Sequence, residues 1–150
     1  MIHIQKATLQ DIDTLIDFQQ KLAFESEAVT LNGDLLRKGL QALFADPNKG
    51  FYFVAKENTE VIGCHMITFE WSDWRNGMVW WIQSVYVKET HRKKGVFKLM
   101  FDNLLNILST DPGIIGLRLY VDKSNARAMK VYEAMGMDGS HYTVYERMKS

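Results

Sequence analysis

Between Trp80 and Leu108 the chain changes character twice, and that change limits what it can fold into. Trp80-Trp81-Ile82-Gln83-Ser84-Val85-Tyr86-Val87 is aromatic and β-branched, the composition of a buried strand. His91-Arg92-Lys93-Lys94-Gly95-Val96-Phe97 is basic and carries a glycine. Phe97, Met100, Phe101, Leu104, Leu105 and Leu108 then recur at helical spacing. A strand that leads through a basic glycine loop into a helix presents the first N–H groups of that helix, which lack intrahelical partners. The helix dipole there favours negative charge, so the terminus suits a phosphate. A glycine at this point lets backbone approach an anion without a Cβ in the way. Taken alone, the same residues also describe a solvated turn that stops a strand and starts a helix.

The rest of the chain can be read around this segment. Ile2, Ile4 and Ala7 predict a short strand, and Thr8 is a helix cap before Ile12, Leu15, Ile16, Phe18, Leu22 and Phe24. Glu25-Ser26-Glu27 breaks that apolar pattern. Asn32-Gly33-Asp34 predicts a turn and cap for a second helix carrying Leu35, Leu36, Leu40, Leu43 and Phe44, which Asp46-Pro47-Asn48 stops. Strands are expected at Phe51–Lys56, from Val61 to about Trp71 with Gly63 interrupting it, and at Met78–Val87. Polar turns join them at 57–60 and 72–77, the second ending in the hairpin signal Asn76-Gly77. Beyond the central helix, Asp111-Pro112-Gly113 turns into a strand at Ile115–Val121. Asp122-Lys123-Ser124-Asn125 then leads into a helix from Ala126 to Met135, ended by Gly136, and Tyr142–Met148 reads as a last strand. The order is that of a mixed α/β (α+β) fold in one domain over residues 1–150.

Composition narrows the chemistry. With 18 basic and 18 acidic side chains the formal charge is zero, so there is no overall basic field for nucleic acid. The local cluster from Arg92 to Lys98 suits a small anion better than a duplex. Cys64 is the single cysteine and no metal-ligand spacing occurs, which predicts no disulfide, no metal and a reducing, cytoplasmic setting. Met1-Ile2-His3-Ile4 lacks the apolar run of a signal peptide. No stretch approaches the ~20 apolar residues of a membrane span.

Arg92-x-x-Gly95-x-Phe97, following Val85-Tyr86-Val87, resembles the pyrophosphate loop of the GNAT superfamily of acetyl-CoA-dependent N-acetyltransferases. Phe97 stands where that loop usually has glycine or alanine. Asn125-Ala126-Arg127-Ala128-Met129-Lys130-Val131-Tyr132-Glu133-Ala134-Met135-Gly136-Met137 resembles the family's C-terminal motif. Without the family, this second segment is an amphipathic helix with Ala128, Val131 and Met135 inward and Tyr132 a core aromatic with a wet hydroxyl. The resemblance covers nearly the whole chain. It implies a central mixed, mostly antiparallel sheet flanked by helices, with acetyl-CoA as co-substrate. On this reading the backbone of Val85, Tyr86 and Val87 pairs with pantetheine. The loop Arg92, Lys93, Lys94, Gly95, Val96, Phe97 and Lys98 holds the pyrophosphate. The N–H near Val85 faces the oxyanion, Tyr132 protonates the departing thiolate, and Asn125 bonds the cofactor arm or caps its helix.

Many relatives carry glutamate where this chain has Gln83, and glutamine cannot take a proton. Deprotonation through ordered water, or capture of the rare neutral amine, is therefore expected, with Glu25, Glu27, His65 and Glu70 as relay candidates. The stretches from Phe24 to Leu40 and from Thr68 to Trp74 are loosely similar to diamine (spermidine/spermine) acetyltransferases. That likeness implies Glu25, Glu27, Glu70, Asp73, Trp71, Trp74, Trp80 and Trp81 around a cationic amine, through charge pairing and cation–π contact. Gln83, a further substrate-binding candidate, fits an amine of lower pKa, such as an amino acid or an aminoglycoside-like ring amine, better than a polyamine. Tryptophans on alternating strand faces that merely cover a sheet remain the plainer account. The expected function is transfer of acetyl to a primary amine of a small molecule, such as a polyamine or amino acid, in a direct ternary complex. The alternatives are an acyl-CoA-binding regulatory module without turnover, and a protein or peptide N-acetyltransferase. The strand with Tyr142, Val144 and Tyr145 is expected to pair either across a homodimer or within the chain.

Overall fold

The structure, a computed structural model, describes residues 1–149. Its elements are β1 (Ile2–Lys6), α1 (Ile12–Glu27), α2 (Gly33–Ala45), β2 (Phe51–Glu57), β3 (Glu60–Ser72), β4 (Gly77–Val87), α3 (Val96–Thr110), β5 (Ile114–Arg118) and α4 (Ala126–Ala134). The chain divides into two compact units, Met1–Arg118 and the residues from Leu119 onward.

In the first unit five strands lie in sequence order, β1-β2-β3-β4-β5. The first four pair antiparallel and β5 joins β4 in parallel. This is the mixed, mostly antiparallel sheet that the resemblance implies. One sheet face is covered by Leu15 and Phe18 of α1 and Leu40 and Leu43 of α2, packed on Tyr52, Val54, Cys64 and Tyr86. The other carries Val96 and Met100 of α3 against Ala55 and Ile62, with Val85, Val87 and Phe97 beside them.

Local signals account for most boundaries. The Thr8 amide donates to Asp11 Oδ2 at 2.9 Å, a side-chain acceptor for one of the donors that a helix start leaves orphaned. A 3-10 turn, Leu9–Asp11, precedes α1. Asn32 caps α2 by accepting from the Leu35 amide at 3.1 Å. Gly50, between α2 and β2, has φ +142, and a Cβ there would stand 2.2 Å from the Ile67 carbonyl oxygen, so only glycine fits. The helix α1 does not end where its apolar pattern breaks: Glu25, Ser26 and Glu27 stay helical, because backbone hydrogen bonds do not require a buried face.

In the second unit, Asn125 caps α4 by accepting from the Ala128 amide at 3.1 Å, and Gly136 follows at φ +87. The expected strand Tyr142–Met148 is not formed. Those residues join no sheet ladder, and Tyr142, Val144, Tyr145 and Met148 are exposed. Alternating apolar residues make a strand only where another strand offers hydrogen bonds and a face to bury against. The strand β5 likewise ends at Arg118, short of Val121.

Candidate active site

The geometry begins with an irregularity in β4. Opposite β3, Cys64 aligns with Tyr86 but Met66 with Gln83, so β4 holds one extra residue. Ser84 absorbs it at φ +54, a left-handed conformation that costs a non-glycine residue about 1–2 kcal/mol. The pairing of β4 with β5 stops at Trp81 opposite Arg118. Residues 82–87 therefore have no β5 partner on that side, and an extended ligand can pair with this edge as an added strand.

The loop after β4 is tied down by its own charges. Lys88 bridges to Glu60, and His91 Nε2 lies 3.1 Å from Glu57 Oε1. Arg92 Nε donates to the Val87 carbonyl at 2.9 Å, while its Nη2 donates to Glu25 Oε1 at 2.7 Å. Lys98 pairs with Asp102 on the helix surface at 2.7 Å. Among the described residues Lys93 and Lys94 have no ion pair, and both are exposed. The backbone turns through φ +63 at Lys93 and φ +80 at Gly95, which caps α3. No side chain caps that helix and no acidic residue sits in its first turn. A Cβ at Gly95 would meet no atom within 4 Å, so the space in front of these donors is open. Two exposed lysines without ion pairs, next in the chain to helix-start amides that no side chain caps, fit a diphosphate. Phe97 does not fill that space, because its ring packs in the α3 core cluster, 6.0 Å from Phe101.

On the face shared with α1 and α2, β3, β4 and β5 bring a polar group together. Glu70 accepts from Trp81 Nε1 at 2.8 Å, and Arg118 Nη1 lies 2.9 Å from both its oxygens. These bonds, Trp81 first and then Arg118, hold the Glu70 carboxyl below its usual range. Beside them Gln83 Nε2 donates to Thr68 Oγ1 at 2.6 Å. Deeper in, Gln19 Nε2 donates to the Tyr52 hydroxyl at 2.6 Å. Arg118, Thr68, Gln19 and Tyr52 were not legible as site residues, since nothing local distinguishes them from other strand and helix positions.

The remaining candidates are dispersed. Glu25 is engaged by Arg92 and by the Tyr86 hydroxyl, which donates at 3.2 Å. Glu27 is exposed at the end of α1. Trp71, which follows Glu70 near the end of β3, and Trp74, in the β3–β4 turn, are 58% and 91% exposed, and Glu70 bonds instead to Trp81 and Arg118. Val85 and Val87 turn their side chains toward α3. His65 is buried beside Phe53, with ring centroids 5.5 Å apart. Cys64 is buried, its thiol donating to the Ser84 carbonyl at 3.8 Å, and burial pushes it up to about 12, so it holds no thiolate at neutral pH. In the second unit Asn125 is the α4 cap, and burial raises the half-buried Tyr132 phenol, keeping it protonated. Among the described residues no group of three His, Cys, Asp or Glu side chains could hold a metal ion. No helix there is long and apolar enough to cross a membrane.

Comparison with known proteins bears on this arrangement directly. The model of the acetyltransferase (GNAT) family matches residues 13–137. A possible acetyltransferase from Clostridium difficile 630 is 43% identical, with a TM-score of 0.94 over 100% of this chain and 99% of that one. A predicted acetyltransferase from Clostridium acetobutylicum, solved with acetyl-CoA, shares the fold at 23% identity and a TM-score of 0.75, covering 97% and 96% of the two chains. AAC(6')-Iy, solved with the bisubstrate analogue CoA-S-monomethyl-acetylneamine, shares it at 14% identity and a TM-score of 0.79, covering 100% and 99%. No curated protein matches the chain. The family match spans both compact units and includes the open β4 edge, the basic loop and the α4 motif: the chain belongs to the acetyltransferase (GNAT) family and is an acetyl-CoA-dependent acetyltransferase.

Proposed function

We propose that this enzyme transfers acetyl from acetyl-CoA to a primary amine of a small molecule, with both substrates bound together. The observation that carries the reading is the open β4 edge, which runs into an uncapped helix start flanked by Lys93 and Lys94. The edge offers backbone pairing to pantetheine, and the loop offers donors to the diphosphate. The amide N–H near Val85, beside the Ser84 bulge, is the donor for charge that develops on the thioester oxygen. As the neutral amine nitrogen bonds to the carbonyl carbon, the C–S bond breaks and the Tyr132 hydroxyl gives its proton to the leaving sulfur, while the proton shed by the acylated nitrogen passes through water and restores the tyrosine hydroxyl. A phenol held above its ordinary range by burial stays protonated at neutral pH, so a proton is there to give.

Neither Glu25 nor Glu70 is poised as a base. Glu25 and Glu70 are each engaged by an arginine, and Gln83 cannot accept a proton. The amine therefore enters neutral or loses its proton to water. Direct transfer is supported by the inert thiol of Cys64, which gives a covalent acetyl-enzyme no nucleophile. A small amine is supported by the polar group on β3–β5, in which Arg118 offsets the charge of Glu70. AAC(6')-Iy, of the same fold, accommodates an acetylneamine-linked CoA analogue.

The test is a screen for release of CoA thiol over polyamines, amino acids, aminoglycosides and short peptides. Turnover with at least one small primary amine, faster than with any peptide, is expected. Tyr132→Phe should lower kcat by roughly tenfold or more while acetyl-CoA still binds. Preference for peptides would overturn the acceptor class, and an unchanged kcat would remove Tyr132 as the acid.

A further inference from the structure

Glu25 sits in the last turn of α1, 67 residues before Arg92 in the chain, yet three contacts converge on the pair. Glu25 Oε1 accepts from Arg92 Nη2 at 2.7 Å, and Oε2 accepts from the Tyr86 hydroxyl at 3.2 Å. The guanidinium carbon lies 5.3 Å from the centre of the Tyr86 ring, and Arg92 Nε holds the Val87 carbonyl at 2.9 Å. One guanidinium thus joins the end of α1, the last residues of β4 and the first residue of the basic loop. Tyr86 completes the support from below, buried and packed on Phe18 at 4.9 Å. Burial and then the Glu25 carboxylate hold its phenol above the usual range, so it stays a donor.

We infer that Glu25 is a positioning residue for the anion loop: with Tyr86 it latches Arg92 back onto Val87, fixing the turn that presents Lys93, Lys94 and Gly95. The inference rests on the acyl-transfer reading, since it concerns the shape of the loop assigned there to the diphosphate. The Glu25–Arg92 pair is partly exposed, so its Coulomb energy alone is small. Its weight is geometric. A planar guanidinium bonded on two edges and stacked on a ring has few other orientations. Lysine could not make these contacts together. The opposite side of the loop is held by Lys88 and His91 on the β2–β3 turn, so Arg92 supplies the restraint on the α1 side.

The sign of one effect separates this role from simple electrostatics. A carboxylate near a bound diphosphate repels it, so deleting Glu25 for charge reasons alone would tighten acetyl-CoA binding. A latch predicts the reverse. In calorimetric titrations, Glu25→Ala should weaken acetyl-CoA binding roughly tenfold, with the kinetic loss falling on KM for acetyl-CoA rather than on kcat. Arg92→Ala should do the same, and the double variant should be no worse than Arg92→Ala, because the two side chains act as a unit. Hydrogen exchange in the free protein should quicken at residues 88–95 in Glu25→Ala. Tyr86→Phe, which removes one hydroxyl and keeps the ring, should show a smaller shift in the same direction and serves if the alanine variant fails to fold. Tighter or unchanged binding, additive losses, or an unchanged exchange pattern would overturn the latch. Wild-type protein that bound no acetyl-CoA would overturn the acyl-transfer reading and the latch together, so the two failures are distinguishable.

Discussion

His65 carries the sharpest residue-level consequence. It is 1% exposed, and among the described residues neither ring nitrogen has a hydrogen-bond partner. Burial pulls its pKa from 6.5 down to about 4. The native state therefore resists a proton that the unfolded chain accepts below about pH 6.5. Because the unfolded state binds more protons in that window, stability rises with pH from about 4 to 6.5 and is lost as pH falls through it. At about 1.4 kcal/mol per unit, roughly 2 kcal/mol disappears between pH 7.5 and pH 5. His65→Phe keeps a ring against Phe53 and removes the titration. Its Tm should fall less than that of the wild type over this range, by several degrees, when thermal unfolding is followed at both pH values. Equal falls would show that His65 is not the group responsible. The same burial makes His65 an implausible proton relay, because it is packed on the α3 side with Phe53 rather than with Gln83 and Glu70.

Among the elements, the start of α3 does the most with the least. Its amides lack a side-chain cap, and the residue that turns the chain into it has φ +80. Gly95→Ala meets no neighbouring atom, so its cost in the free protein is conformational, about 1–2 kcal/mol. The added methyl would stand in the space assigned to the diphosphate. Acetyl-CoA binding should weaken several-fold beyond any effect of the modest drop in Tm, as read by titration at a temperature where both proteins are folded. An unchanged Kd would move the anion site away from this helix. The bulge at Ser84 and the end of pairing at Trp81 belong to the same scale, since each is a property of two strands together rather than of any side chain.

For the whole molecule, the consequence is a dependence of rate on pH that the acceptor sets. Glu70 stays ionised through neutral pH under the hold of Trp81 and Arg118, and Gln83 does not titrate. With no enzyme base, kcat/KM should climb roughly tenfold per pH unit until the pKa of the amine is reached. Two acceptors of different pKa should give profiles displaced by that difference. A common inflection near neutrality for both would reveal a base among the enzyme's own groups. Much of the fold is legible in the sequence. Helix periodicity, the caps Asn32 and Asn125, the Asn76-Gly77 turn and the strand–loop–helix order depend on residues within a few positions of one another, so the local chain specifies them. The extra residue at Ser84 depends on register against β3. The partners of Glu25 and of Glu70 lie 67 and 48 residues away, and no local pattern announces them. Tyr142–Met148 shows the converse: its alternation is real, but a strand needs hydrogen bonds from another strand, and alternation cannot say whether one is there. Short-range chemistry wrote the elements and the basic loop; which carboxylates an arginine engages was settled by side chains that meet only when the sheet and helices have closed around them.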